Sequence, residues 1–347
     1  MAALFRLKVK WILIPIELLV SDDLTPAAKF LWIRLRLDEK HRRPRPQASR
    51  KLAKRTGLAR STIMLALKKA AATGWLVPSR HPHGKGIRWK TACPVEPTGF
   101  VRIPVDLIRD WERVRPQEVL CYGSLQLLPS FNGLTGYFKW AELRQLTGLH
   151  LRTLKRAVRA LAANYWIGMQ QKNRLSPIWY RLQHADEARM NEVQRRLDDR
   201  LNRPGGNHVG EAIMHEALAL IVATDVCQEG ARPEFLRNPA TGERMELDRY
   251  YPNDRVAFEF NGRQHYAATE RFSKDKVMAQ RKRDAVKRQI CKKYGIKLVV
   301  VRAEDLTFVQ MLRKVGDLLP RGSLRIFGRT IQYLNKRAVG YQQAALA

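Results

Sequence analysis

Hydrophobic and polar positions follow one pattern twice in the first half of the chain. From Leu52, LAKRTGLARSTIMLALKKAAATGW sets apolar residues at helical spacing on both sides of a Thr-Gly-Leu turn, and from Leu143, LRQLTGLHLRTLKRAVRALAANYW does the same. Thr56, Gly57, Leu58, Thr62 and Trp75 fall on Thr147, Gly148, Leu149, Thr153 and Trp166, an offset of 91 residues. Upstream, IPIELL at Ile14 has its counterpart in IPVDLI at Ile103. Each copy predicts a short helix, a turn whose glycine can adopt positive φ, and a second, amphipathic helix. In the first copy Leu52 and Leu58 face inward around the turn, Ser61 is placed to cap the second helix, and Ile63, Leu67 and Ala70 or Ala71 form its buried stripe. WLVPSRHPHGKGIRWKTA then supplies two strand-like runs around a Gly-Lys-Gly tip, and WIGMQQKNRLSPIWYRLQ repeats that plan after the second copy.

This order resembles tandem winged helix-turn-helix domains, such as occur in plasmid replication initiators and transcription regulators, over residues 12 to about 184. The resemblance implies DNA contact by the second helix and the wing of each copy. In the first copy the residues left for that contact are Arg60, Ser61, Thr62, Lys68 and Lys69, with Lys85 and Arg88 on the wing. In the second copy they are Arg152, Thr153, Lys155, Arg156 and Arg159, a set that can hold phosphates and, through arginine, address guanine edges.

Charge points the same way. The chain carries 64 Lys plus Arg against 32 Asp plus Glu, a net charge of +32, and such a surplus repels itself unless a polyanion shares it. Residues 1–95 alone hold 21 basic against 5 acidic residues, about half of the surplus, so phosphate contact is their expected work. A membrane surface is disfavoured because no single cationic amphipathic helix concentrates the charge. RNA is disfavoured because no aromatic-rich sheet motif for stacking bases appears. Double-stranded DNA is the expected partner, with no small-molecule cofactor; a homodimer stays open.

Cys93, Cys121, Cys227 and Cys291 lie far apart, with no CxxC pair and no histidine at ligand spacing, which argues against a zinc site or a disulfide framework and for a reducing, cytoplasmic setting. The opening MAALFRLKVKWILIPIELLV has the basic-then-apolar order of a signal peptide, but Pro15 and Glu17 interrupt it and no small-residue cleavage site follows. No stretch reaches the roughly 18 apolar residues of a membrane span.

The second half changes character. HADEARMNEVQRRLDDRLNRPGGN is a charged, helix-like stretch ending in Pro204, Gly205 and Gly206 and is expected to be a linker. After it come an amphipathic helix (GEAIMHEALALIVAT), a hairpin (ARPEFLRNPATGERMELDRYYP), a strand (RVAFEFNG), a long basic helix (KDKVMAQRKRDAVKRQICKKYG) and an apolar strand (IKLVVV), the order αβββαβ. That order, with LDRYYPNDRVAFEFNGRQHY and RKRDAVKRQICKKYGIKLVVV, resembles the PD-(D/E)XK nuclease superfamily, in the branch of small phage and mobile-element endonucleases and very-short-patch-repair-like proteins, over residues 210 to about 306. Gly210 with Glu211, Asp248 with Tyr251 and Pro252, and Glu259 through His265 occupy the positions that carry this likeness.

The resemblance implies a metal-dependent nuclease, and the chemistry asks for the same parts. Phosphodiester hydrolysis uses a divalent ion to polarise the phosphate and to lower the pKa of the attacking water, and hard Mg²⁺ or Mn²⁺ takes carboxylate oxygens. Asp248 and Glu259 are expected to hold the metal from adjacent strands, with Glu211 as a further ligand or water-orienting group and Glu216 competing for that role. Alternation in VAFEFN turns Glu259 away from Phe258 and Phe260. One position departs from the superfamily: Asn261 stands where the motif lysine belongs, and the candidates to replace it are Gln264, His265 and Lys287. Asp284, Lys287 and Cys291 share one face of the long helix, facing either the site or solvent as a salt-bridged surface.

The expected protein is therefore multidomain α+β. It has winged helix-turn-helix domains at 1–95 and 96–184, a charged linker at 185–209, a restriction-endonuclease-like domain at 210–319 and a basic tail at 320–347 with no legible role. Its expected function is DNA cleavage in a mobile element, phage or plasmid. The alternative is a catalytically inactive replication initiator or transcription regulator.

Overall fold

The computed structural model describes residues 10–39, 48–80, 87–110, 113–201, 208–224, 226–262, 274–322, 324 and 326–346. The chain is mixed α+β and divides into two compact units, Met1–Ala188 and Arg189–Ala347.

The first unit opens with strand β1 (Trp11–Pro15), the short helix α1 (Ile16–Val20) and α2 (Pro26–Glu39). Helices α3 (Ser49–Thr56) and α4 (Arg60–Ala72) follow, then the antiparallel strands β2 (Leu76–Arg80) and β3 (Ile87–Thr91). The turn between α3 and α4 works because Gly57 takes φ 67° while its N–H bonds the Ala53 carbonyl. A side chain there would cost about 1–2 kcal/mol. The Thr56 hydroxyl donates to the Leu52 carbonyl at 2.8 Å, so the Thr-Gly pair closes the helix from two sides. Ile63, Ala66, Leu67 and Ala70 form the buried stripe of α4. Ser61 does not cap that helix: it starts at Arg60, its cap is Ala59 without a side-chain bond, and Ser61 already lies inside the first turn.

The second copy repeats this build with β4 (Phe100–Pro104), α5 (Val105–Arg109), α6 (Pro116–Leu125), β5 (Thr135–Phe138), α7 (Trp140–Thr147), α8 (Leu151–Ala163), β6 (Ile167–Gln170) and β7 (Ile178–Leu182). Gly148 takes φ 63° and the Thr147 hydroxyl bonds the Leu143 carbonyl at 2.8 Å, matching the first copy atom for atom. One equivalence is strained: the left-handed position that Gly74 fills at φ 77° is held by Tyr165 at φ 64°. Strands β5, β6 and β7 form a three-stranded antiparallel sheet in the order β5-β7-β6.

The two copies are not separate domains meeting at residue 95. β1 pairs antiparallel with β4, and α2 packs on α6, so each copy completes the other's core. The physical reason lies in the strands: Ile12 and Ile14 on one, Val101 and Ile103 on the other, are all buried beneath the ladder.

The stretch expected as a linker is helical from Ala185 to Leu201 (α9). Ion pairs between Arg195 and Asp199 and between Arg196 and Glu192 support it, and Arg189 and Arg196 reach the buried Glu216.

The second unit continues with α10 (Val209–Ile221), β8 (Gln228–Ala231), β9 (Leu247–Tyr251), β10 (Val256–Asn261), α11 (Lys274–Lys293), β11 (Lys297–Arg302), α12 (Phe308–Val315) and α13 (Gly328–Leu346). Its sheet has the order β11-β10-β9-β8, with β10 parallel to β11 and the other pairs antiparallel. The parallel pair is joined through α11, the long crossover that parallel strands require. α10 and α11 both pack on the sheet, so central β10 is covered on both faces: Val256, Ala257 and Phe258 are all buried. The stretch expected as a basic tail belongs to this unit. Thr330, Leu334 and Ala338 line a buried stripe of α13, which packs on α10, and the Asn335 side chain accepts from the Phe308 N–H at 2.8 Å.

Candidate active site

Asp248 and Glu259 come together because of strand register. Tyr251, Tyr250 and Arg249 of β9 pair with Val256, Ala257 and Phe258 of β10, and one step further the same register sets Asp248 opposite Glu259. At that step a side chain takes over from the backbone ladder, with Asp248 Oδ2 accepting the Phe260 N–H at 2.7 Å. Burial raises both carboxyls above the usual carboxylate range, and mutual repulsion adds to the rise of Glu259. Like charges opposed across a ladder are destabilising, and bound protons or a nearby cation offset them.

Part of the compensation comes from α11. Lys287 Nζ forms an ion pair with Glu259 Oε1, both side chains being largely buried. Asp284, one turn earlier, bonds Gln280 at 2.9 Å and feels the charge of Glu259, while Cys291, one turn later, is fully buried in the core beneath. The face shared by Asp284, Lys287 and Cys291 is thus turned toward Glu259 and not toward solvent. Two clefts meet at this pair. One, of about 200 Å³, is lined by Asp248, Glu259, Lys287 and the basic side chains Arg232, Arg244 and Arg283. The other, of about 140 Å³, is lined by Glu259, Asn261 and Lys287 with Arg281, Arg288 and Arg302. Both clefts thus set arginine side chains beside the carboxylates.

Glu211 sits in the first turn of α10 with His208 Nδ1 at 3.1 Å and His215 Nε2 at 3.6 Å. Its charge is felt at Asp248, where it adds to the rise of that carboxyl. Glu216 is engaged elsewhere, with Arg189 and Arg196, so of the two glutamates Glu211 is the one that reaches the site. Gly210 lets it do so: a Cβ there would lie 2.2 Å from the Phe260 ring. Behind Glu211 lies a network that the sequence reading did not single out. Buried His215 has Glu229 against its Nδ1 at 3.2 Å, and Arg249 donates to Glu229, to the His215 carbonyl and to the Tyr251 hydroxyl. The bond with His215 holds the Glu229 carboxyl down at about 2, with Arg249 and Arg200 helping. The signal available in sequence was the four-residue spacing of Glu211 and His215 on one helix. Gln264 and His265 lie outside the described residues.

What could bind a metal here is the Asp248–Glu259 pair. Glu259 Oε2 is buried without a hydrogen-bond partner, and hard carboxylate oxygens suit a divalent ion that keeps waters or phosphate oxygens for its remaining positions. Among the described residues no group of three or more His, Cys, Asp or Glu side chains is gathered as a ready-made metal cage. Two carboxylates could supply only part of such an ion's oxygen ligands, with Glu211 the next acidic group whose charge is felt at Asp248.

The residues assigned to DNA contact in the first unit lie on the outer faces of α4 and α8. Arg60, Ser61, Lys68 and Lys69 are exposed, Thr62 is half-buried, and Arg60 donates to Ser49 at 3.0 Å. Arg152, Arg156 and Arg159 are exposed, while Thr153 and Lys155 are half-buried, the latter over the Trp140 ring. Arg88 is half-buried on β3, and Lys85 lies outside the described residues. All four cysteines are free thiols. Among the described residues no helix is long and apolar enough to cross a membrane.

The chain is similar to three viral proteins. The uncharacterized protein 033L of invertebrate iridescent virus 3 is 44% identical over 73 residues, 20% of this chain and 38% of that protein. The uncharacterized protein 094L of frog virus 3 (isolate Goorha) is 37% identical over 109 residues, 30% of this chain and 69% of that protein. The uncharacterized protein 307L of invertebrate iridescent virus 6 is 37% identical over 78 residues, 20% of this chain and 40% of that protein. The chain thus spans about two fifths of the length of the two invertebrate-virus relatives. No protein-family model matches the chain, and no solved structure does.

Proposed function

The chain belongs to the family of the frog virus 3 protein 094L, and we propose that it is a DNA-binding, metal-dependent endonuclease in which two winged helices hold duplex DNA and the second unit hydrolyses it. The observation that carries this is the burial of Asp248 and Glu259 on adjacent strands, with Lys287 of α11 ion-paired to Glu259, beside clefts edged with arginine. A lone surface carboxylate explains neither the burial nor the mutual repulsion, whereas a divalent-ion site explains both. The αβββαβ order and the antiparallel-then-parallel pairing of β9, β10 and β11 fit the restriction-endonuclease-like resemblance.

In this reading Mg²⁺ or Mn²⁺ held by Asp248 and Glu259 supplies Lewis acidity for hydrolysis. Lys287 replaces the motif lysine that Asn261 lacks: from α11 it delivers a cation to the carboxylate pair, where it can hold a scissile phosphate or the attacking water. Glu211, steadied by His208 and His215, accepts a proton from that water or orients it. Arginines at the cleft edges hold the flanking phosphates. Water attacks phosphorus, the bond to the 3′ oxygen breaks and that oxygen takes a proton from solvent to leave as a hydroxyl, giving the 5′ phosphate that the resemblance implies.

The rival is a binder without catalysis, a replication initiator or transcription regulator, and it draws on Asn261. Incubating the full chain with supercoiled plasmid and Mg²⁺ or Mn²⁺, beside Asp248→Ala and Glu259→Ala, decides between them. We expect nicking by the wild type alone. Equal nicking by all three proteins refutes the site, and no cutting of any DNA by the wild type favours the binder.

A further inference from the structure

The ladder between β1 and β4 joins equivalent strands of the two repeats in opposite directions. Its register sets Leu13 opposite Arg102, Ile12 opposite Ile103 and Ile14 opposite Val101. Because IPIELL at Ile14 matches IPVDLI at Ile103, Leu13 and Arg102 are counterparts, as are Ile12 with Val101 and Ile14 with Ile103. The ladder is therefore unchanged by a half-turn through the Leu13–Arg102 pair, and the two strands show the same alternation of burial. Copies related by simple translation would lay equivalent strands side by side in one direction. α2 and α6 are counterparts too, each starting at a proline, and they pack on each other across the same junction. The repeats are related by a local twofold axis, which relates α4 to α8, both 13 residues long.

We propose that a single chain recognises a duplex site made of two half-sites in inverted orientation, the arrangement that a helix-turn-helix homodimer ordinarily reads with two chains. The proposal rests on the DNA-binding reading above and adds to it the orientation of the target and the stoichiometry. Duplex DNA has dyads of its own, and a protein whose reading helices are related by a half-turn matches them when its half-sites are inverted. The half-sites differ, because the helices do. α8 exposes Arg152, Arg156 and Arg159, suited to guanine edges, whereas α4 sets exposed Met64 and Leu65 between Arg60 and Lys68, suited to thymine methyl groups flanked by phosphates. The site is an imperfect inverted repeat with its guanine-bearing half under α8.

The test is selection from a random duplex library by the full chain carrying Asp248→Ala, without divalent ions so that nothing is cut. The enriched duplexes are expected to hold two half-sites in inverted orientation, with sedimentation giving one chain per duplex. Reversing one half-site should weaken binding roughly tenfold or more. Arg152→Ala with Arg156→Ala should relax the guanine-bearing half alone. Half-sites in direct orientation, two chains per duplex, indifference to the reversal, or tight binding with no enriched sequence each overturn the proposal and leave the DNA-binding reading standing. Absence of any DNA binding overturns both.

Discussion

Burial, with repulsion by Asp248 at Glu259 and by Glu211 at Asp248, makes the two carboxyls hold protons more tightly in the folded chain than in the unfolded one. Between the ordinary carboxylate pKa of roughly 4 and their raised folded values, the folded state binds more protons, so stability falls as pH climbs through that window toward neutrality and beyond. Thermal melts of the metal-free protein from pH 5 to pH 8 should record that fall. Asp248→Asn, which still accepts the Phe260 N–H, should flatten it, melt a few degrees higher than the wild type at pH 8, and cleave nothing. A wild-type melting point that rises steadily over this range would contradict the assignment. Lys287→Gln keeps a hydrogen bond to Glu259 but removes the charge; plasmid cleavage should drop by about 10²-fold or more while DNA affinity changes little. Asp248 and Glu259 were legible only through the resemblance, and spacing put Asp284, Lys287 and Cys291 on one face of α11 without saying whether that face meets the site or solvent. Glu229 and Arg249 were not legible, because their connection to His215 runs from a helix through a sheet edge and leaves no period in the sequence, and the only hint of His215 was its four-residue spacing from Glu211.

Elements were legible where their stabilisation is local. The Thr-Gly-Leu turns announce themselves because a threonine hydroxyl and a left-handed glycine end the helix within four residues. Gly57→Ala and Gly148→Ala should each destabilise the chain by about 1–2 kcal/mol, read as a shift in the denaturation midpoint. Gly210→Ala acts through packing instead: its methyl would meet the Phe260 ring, and about 1–3 kcal/mol should be lost. An unchanged midpoint would mean that the ring moves aside freely. The stretch at Ala185–Leu201 was read as a charged, helix-like linker, and the boundary between the two units falls inside it, while the end of the chain was read only as a basic tail. In α9 and α13 the eye is drawn to charge, while a narrow buried stripe such as Thr330, Leu334 and Ala338 decides where the helix docks. The pairing of β1 with β4 was invisible too: both strands were recognised as repeats, but nothing in either says that they bind one another.

At the scale of the whole molecule, a net charge of +32 makes affinity for DNA a matter of counterion release. Binding of the full chain to duplex DNA should fall steeply with added salt, and replacing Arg156 or Arg159 by alanine should lower the log–log slope by about 1 each if they contact phosphate. A salt-insensitive affinity would leave the basic surplus without a partner. The β1–β4 ladder has a further consequence, in time and not in space. A ribosome releases Trp11–Pro15 long before it has made Phe100–Pro104, so the first repeat waits with Trp11 and Leu13 on an unpaired edge until the opening strand of the second has emerged. Closing that long loop is slow compared with forming a helical turn, and it makes folding of the two repeats a single cooperative event. A chain interrupted between them would carry an open strand edge with no partner of its own.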